Sequence, residues 1–124
     1  MTTLTETGHA AGFLLSEANG NRSRDVVTIA SGQNLKAGAV LGKITSGSPT
    51  GEYKAYDNGA SDGSQAAAGI LLDDCDASDA DTHAVAILRD AEVNSNELVY
   101  DSGQNDAAKV AAVADLLALG ILVR

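Results

Sequence analysis

Residues 22–47 read RSRDVVTIASGQNLKAGAVLGKITSG, and they carry the clearest signals of secondary structure in the chain. Its first nine residues are rich in β-branched side chains, which favour an extended backbone. Because side chains alternate along a strand, Val27 and Ile29 fall on one face and Val26 and Thr28 fall on the other. The stretch therefore predicts a β-strand at its start, and its remainder predicts further short strands.

Four glycines divide that remainder into short segments: Gly32, Gly38, Gly42 and Gly47. Turn signals at such close spacing are typical of a small β-barrel or sandwich, so no helix is expected in this half of the chain. An apolar run at residues 13–17 predicts one more strand. The dipeptide Asn19-Gly20 is typical of tight turns and predicts a hairpin between that strand and residues 22–30.

The second half of the chain predicts more strands, separated by polar loops. Residues 52–56 predict the end of a strand, with Tyr53 and Tyr56 on either side of it. Residues 65–72 form a run of small and apolar side chains and predict another strand. The acidic segment, residues 73–81, is expected to be a loop. Residues 83–88 alternate in the manner of a strand, and we expect them to lie in the core.

One helix is predicted near residues 106–119. Asn105 or Ser102 can cap it, and Asp106 places a carboxylate at the positive end of the helix dipole. Gly120 fits a left-handed C-terminal cap, after which residues 121–123 predict a last strand. An apolar stripe at helical spacing is expected to face the core, and it consists of Val110, Val113, Ala114 and Leu117.

These patterns predict one mainly β domain with a single C-terminal helix, an α+β chain built around a small β-barrel. The 124 residues suit one domain. Residues 1–12 read MTTLTETGHAAG and hold few large apolar side chains, so they predict a flexible N-terminal arm. The β-rich domain then covers residues 13–124.

Composition excludes several classes of function. The net charge is −9, from eight basic and seventeen acidic residues, which makes nucleic acid and anionic membranes poor partners. No apolar run approaches the length of a membrane helix, and no secretion signal is evident, so we expect a product of the cytoplasm. With four aromatic residues in all, the core is thin, and this favours association with copies of itself.

The acidic segment is the one candidate for a cation site, since hard cations prefer several carboxylate oxygens. Counting from Asp74, however, Asp79 and Val85 stand where a calcium-binding EF-hand loop needs glycine and glutamate. We therefore expect no metal, and we interpret these carboxylates as structural and solvated. Glycine-rich patterns that cradle cofactor phosphates are also missing, so no cofactor is expected.

Catalysis is not expected either. A nucleophilic mechanism needs a serine or cysteine near an oriented histidine, and the two histidines, His9 and His83, stand in no catalytic pattern. Cys75, the single cysteine, lies among acidic residues that disfavour its thiolate. A small hydrolase using the acidic segment remains an alternative, and it would lose turnover on alanine replacement of Asp74, Asp76 and His83.

Several runs together resemble the head decoration proteins of lambda-type bacteriophages. They are FLLSEANGNRSR at 13–24, LKAGAVLGKI at 35–44, YKAYDNGASDGSQAAAGILL at 53–72, AVAILRDAEV at 84–93 and ALGILVR at 118–124. The runs follow in one order along the chain. The resemblance implies a small barrel or tulip-like domain, with no enzymatic activity, that decorates the outer surface of the virion capsid after synthesis in the host cytoplasm.

The resemblance also implies a homotrimer that binds the major capsid protein of the expanded head and stabilises it. The capsid-contacting arm of the family carries over onto the N-terminal segment of this chain. The residues expected to contact the capsid are Thr2, Thr3, Leu4, Thr5, Glu6, Thr7 and Phe13. The alternative function is a soluble β-rich adaptor or a carbohydrate-binding module, although few aromatic residues are available to stack on sugars.

Overall fold

A computed structural model describes residues 9–124, and it consists of ten strands, one α-helix and a short 3-10 helix at Ser95–Glu97. The strands are β1 (Leu14–Glu17), β2 (Arg24–Ile29), β3 (Gln33–Leu35), β4 (Val40–Lys43), β5 (Tyr53–Ala55), β6 (Ala67–Leu71), β7 (Cys75–Ala77), β8 (Thr82–Ile87), β9 (Ala91–Val93) and β10 (Ile121–Val123). The helix α1 spans Asp106–Ala118. The prediction of a mainly β chain with one C-terminal helix is confirmed.

Five strands close a barrel in the order β2-β5-β4-β6-β8. Two small sheets complete the domain: β1-β9-β10, and β3 paired with β7. Along β4 the register shifts between Leu41 and Gly42. A Cβ at Gly42 would lie 2.5 Å from the carbonyl oxygen of Ser64, so this close approach of two backbone segments requires glycine.

Apolar side chains form two cores, one on each side of the barrel wall. The inner core fills the barrel and contains Val27, Ile29, Ala39, Leu41, Tyr53, Leu71, Cys75, Ala77 and Ala86. The outer core lies where α1 and the β1-β9-β10 sheet cover the barrel, and it contains Phe13, Val40, Tyr56, Ala67, Ile70, Ile87, Ala91, Val93, Ala108, Ala112, Leu116 and Ile121. Alternation along β4, β6 and β8 supplies both cores, because neighbouring residues point to opposite faces.

The predicted hairpin at Asn19-Gly20 is wrong, although both of its strands exist. Strand β1 pairs with β9, whereas β2 pairs with β8 and β5. The connection crosses from one sheet to the other and is held by the buried Ser23. Its hydroxyl donates to the Asp90 carbonyl at 2.7 Å and accepts from the Ala18 amide at 3.0 Å. These contacts tie the connection to the β8–β9 turn.

The acidic segment is not a loop throughout, since residues 75–77 form β7 and pair with β3. Cys75 and Ala77 point into the inner core, so two apolar positions within an acidic run are enough for a short strand. The strands predicted near residues 52–56, 65–72 and 83–88 are confirmed with slightly different ends. Short strands flanked by charge are easily missed in a sequence because their pattern spans three residues.

Helix α1 begins and ends as predicted, but the side that it turns toward the core is not the predicted one. The Asn105 side chain accepts a hydrogen bond from the Ala108 amide at 2.9 Å, and Gly120 has a φ of +84°. The predicted inward stripe is wrong: Val110, Ala114 and Leu117 are exposed, and Val113 is half-buried. The buried face is Ala108, Ala112 and Leu116. Small alanines let the helix approach β6 and β10 closely.

Candidate functional site

The candidate site lies at the root of the N-terminal arm, where residues 9–12 form a turn against the domain. The Ala11 amide donates to the Leu72 carbonyl at 2.8 Å, and the Gly12 amide donates to the His9 carbonyl at 3.0 Å. The first described residues are therefore fixed to the body of the domain. They belong to the predicted arm, residues 1–12, and the rest of that arm lies outside the described residues.

Six of the seven residues predicted to contact a capsid lie outside the described residues: Thr2, Thr3, Leu4, Thr5, Glu6 and Thr7. The seventh, Phe13, is buried. Its exposure is 1%, and its carbonyl accepts a hydrogen bond from the Asn94 amide at 2.8 Å. The phenyl ring belongs to the outer core, and the contact of Phe13 with a capsid stays a prediction.

A cleft of about 360 Å³ opens beside the root of the arm. Its walls include His9, Lys36, Asp74 and Val99, and Phe13 lies at its inner end. The Asp74 carboxylate accepts a hydrogen bond from the Ala37 amide at 2.8 Å, which fixes one wall. Val99 is 43% exposed and offers an apolar contact. The cleft therefore has both polar and apolar walls.

The carboxylates of the acidic segment are engaged in holding loops together. The Asp81 carboxylate accepts from the Ser31 amide at 2.8 Å, and the Asp76 carboxylate accepts from the Ser78 amide at 3.1 Å. Hydrogen bonds from Ser78 lower the pKa of Asp76 below its usual range. Within residues 9–124, no group of three or more His, Cys, Asp or Glu side chains is arranged to hold a metal ion.

Cys75 and His83, the candidate nucleophile and base, both lie in β-strands of the domain. Burial, followed by the neighbouring Asp76 carboxylate, raises the pKa of the Cys75 thiol, which is 6% exposed. The His83 ring lies 3.2 Å from the Thr28 hydroxyl across the β2–β8 pair. A buried, protonated thiol is a poor nucleophile, so the local chemistry does not favour covalent catalysis at Cys75.

Aromatic side chains do not form a surface platform for a sugar. Phe13, Tyr53 and Tyr56 are buried, and the Tyr56 hydroxyl donates to the Ala108 carbonyl at 2.8 Å. Tyr100 is half-buried, and the Lys109 ammonium lies over its ring, 5.5 Å from the centroid. Among the described residues, no helix is both long enough and apolar enough to cross a membrane.

The family model of the bacteriophage lambda head decoration protein D matches residues 3–121 of this chain. The chain belongs to this family. Head decoration proteins are structural components of the phage capsid rather than enzymes, so the family implies a place on the capsid surface of the virion. The match begins at residue 3, and it therefore includes most of the arm as well as the whole barrel. No curated protein matches this chain.

Two structural features of this decoration protein were not predicted from the sequence. The anchoring of residues 9–12 depends on the Leu72 carbonyl, some sixty residues away in the chain, and no local signal reports it. The second feature is the exposed apolar stripe of α1, whose spacing is that of a core stripe. No local signal singles out the buried face, because alanines also stand at positions 107, 111, 114 and 118 of the helix.

Proposed function

We propose that this decoration protein binds the outside of the expanded capsid as a homotrimer, through residues 2–7 of its arm, and stabilises that lattice. The family match over residues 3–121 carries the proposal. The anchored turn at residues 9–12 supports it, because the arm then starts from a fixed point beside an open cleft. The major capsid protein is the partner.

The arm can reach a neighbouring subunit. Eight extended residues span at most about 28 Å. If the arm adds a strand to a capsid sheet edge, each new backbone hydrogen bond stabilises by about 1 kcal/mol, whereas ordering each residue costs about 1–2 kcal/mol. A single arm therefore binds weakly, and side-chain contacts by Leu4 and the threonines must supply the difference.

A trimer overcomes this weakness through avidity. Once one arm is bound, the other two bind at an effective concentration near the millimolar range, which raises the affinity by about 10²–10⁴-fold. Because a ligand that binds one state stabilises that state, a trimer selective for the expanded lattice opposes its rupture. Trimerisation is thus part of the binding mechanism.

Co-sedimentation with purified heads tests the proposal. Deleting residues 2–8 should leave the far-UV circular dichroism spectrum unchanged, since residues 9–12 keep their hydrogen bonds to the body. The shortened chain should no longer sediment with expanded heads. A second variant replaces residues 2–7 with glycine and serine, which keeps the length and removes the side chains. It should also lose binding.

A matched control carries its change outside the arm. Leu15, in β1, is 54% exposed, and Leu15→Asp should still sediment with expanded heads. Undiminished binding by the chain that lacks residues 2–8 would rule out the arm as the capsid contact. Equal binding to expanded and unexpanded heads would rule out selectivity for the expanded lattice.

A further inference from the structure

The chain contains two Asn-Gly dipeptides, Asn19-Gly20 and Asn58-Gly59, and neither belongs to the proposed capsid contact. Asparagine is a chemically labile residue, and a following glycine makes it more so, because no side chain shields the glycine nitrogen from the asparagine carboxamide. Glycine also lets the backbone rotate into the conformation that brings the two groups together. The surroundings of each dipeptide in the folded domain then decide which of the two reacts.

The first dipeptide, Asn19-Gly20, lies in an exposed turn of the connection between β1 and β2. Gly20 has a φ of +69°, and a Cβ built on it would meet no atom within 4 Å, so the turn opens onto solvent. Among residues 9–124, no acceptor binds the Gly20 amide, and no group binds the Asn19 side chain. Both reacting groups are therefore accessible to water and are not held apart by hydrogen bonds.

The second dipeptide, Asn58-Gly59, is also exposed, but hydrogen bonds hold its reacting groups. The Gly59 amide donates to the Asp57 carboxylate at 3.0 Å, which engages the nitrogen that would attack. The Asn58 amide donates to the Gln104 side chain at 3.0 Å, which fixes the backbone on the other side of the carboxamide. The Asn58 carboxamide oxygen lies 3.2 Å from the Tyr56 hydroxyl. Attack at Asn58 would have to break these contacts first.

We infer that Asn19 is a site of spontaneous deamidation, with water as the co-reactant. The Gly20 backbone nitrogen loses its proton to solvent and attacks Cγ of Asn19, where the new N–C bond replaces the bond from Cγ to Nδ2. Nδ2 leaves as ammonia, and a succinimide ring remains. Water then opens the ring at either carbonyl and gives aspartate or isoaspartate. The reaction consumes one water, releases one ammonia and involves no oxidation or reduction.

The connection that carries Asn19 can accept this change without unfolding. The buried Ser23 hydroxyl donates to the Asp90 carbonyl at 2.7 Å and accepts from the Ala18 amide at 3.0 Å, so both sides of the turn are fixed independently of Asn19. Deamidation adds one carboxylate to a chain whose net charge is already −9, and isoaspartate also adds a methylene group to the backbone of the turn. The product is a folded, more acidic form of the protein.

Incubation of the free full-length chain in mildly alkaline buffer, followed by peptide mapping with mass spectrometry, tests this inference. Deamidation is read from the mass difference between a carboxamide and a carboxylic acid. The peptide with Asn19 should deamidate about 5–30-fold faster than the peptide with Asn58, because one or two hydrogen bonds must break at Asn58 before attack. The free chain is used, so the result does not depend on capsid binding.

Denaturant separates the effect of the fold from that of the local sequence. In guanidinium chloride both dipeptides lose their hydrogen bonds, so the two rates should become similar. In the folded chain, Asp57→Ala removes the acceptor of the Gly59 amide and should raise the rate at Asn58 toward that at Asn19. Asn19→Gln is the matched control, because it keeps a carboxamide but disfavours the ring. It should remove the acidic form from an ion-exchange profile and leave the far-UV circular dichroism spectrum unchanged.

Two results would overturn the inference. Equal rates in the folded chain, or a faster rate at Asn58, would show that the hydrogen bonds around Gly59 do not protect that dipeptide. An Asn19 peptide that stays intact in the folded chain, yet deamidates in guanidinium chloride, would show that the fold protects this turn as well. Both comparisons use the chain without substitutions, so they stand even if Asp57→Ala fails to fold.

Discussion

Two adjacent leucines in α1 should differ strongly in how much stability the domain loses when each is replaced by alanine. Leu116 is 0% exposed and lies in the outer core, whereas Leu117 is 58% exposed. Truncating a buried leucine to alanine costs about 2–5 kcal/mol, which includes the cavity left behind. Truncating an exposed one stays within about 0.5 kcal/mol. The two positions share helix propensity and sequence context, so the difference between them measures burial.

The magnitude is large for a domain of this size. Typical stabilities are about 5–15 kcal/mol, so Leu116→Ala removes a substantial share. At roughly 4 °C per kcal/mol for a chain of this length, its Tm should fall by about 8–20 °C. Leu117→Ala should leave the Tm of the isolated protomer within a few degrees, by the same conversion.

Urea denaturation followed by far-UV circular dichroism measures both variants, over a series of protein concentrations. The cost of Leu116→Ala should be the same at every concentration. The cost of Leu117→Ala should be near zero in dilute solution and should grow as copies associate. A cost for Leu117→Ala that equals or exceeds that of Leu116→Ala at the lowest concentration would refute the orientation of α1 described above.

Three further changes probe other parts of the domain. Tyr56→Phe leaves the Ala108 carbonyl without its 2.8 Å hydrogen bond in the core, and it should cost about 1–3 kcal/mol in the same urea assay. Hydrogen bonds from Lys54, followed by those from Ser64, hold the pKa of Asp62 far below its usual value of 3.8. The stability contributed by the Asp62 carboxylate is therefore fully present above pH 3.8 and is lost as the pH falls toward the folded-state pKa. Asp62→Asn should make the stability of the domain depend less on pH in the acid range, and it should preserve the fold at pH 7. Burial should protect Cys75 from thiol reagents in the folded protein, and modification as fast in buffer as in urea would contradict the buried position.

Much of the fold could be predicted because its signals are local. Asn105 caps α1, and Gly120 ends it, through hydrogen bonds and dihedral angles that involve residues within one helical turn. Alternation placed Val27 and Ile29 on one face of β2 without knowledge of its neighbours. The boundary of the arm at residue 12 stays a prediction, and composition does not report that the Ala11 amide donates to the Leu72 carbonyl.

The residues expected to contact the capsid stay a prediction, because six of the seven lie outside the described residues. The polar composition of residues 1–12 predicts an arm. Phe13 follows that arm in the sequence, and its side chain packs in the outer core. Position along the chain cannot distinguish an aromatic anchor from an aromatic contact, because both follow a polar segment.

Local signals along the chain place the strands and the helix, since backbone preferences, caps and turns act over a few residues. The pairing of the segments and the buried side of α1 depend on contacts between residues that are distant in the chain. The stripe through Val110 and Leu117 and the stripe through Ala108 and Leu116 have the same helical spacing. The barrel wall accepts the second, because its small side chains let the backbone approach closely while Leu116 fills the remaining space. Close packing between distant segments thus leaves the larger side chains of Val110 and Leu117 exposed.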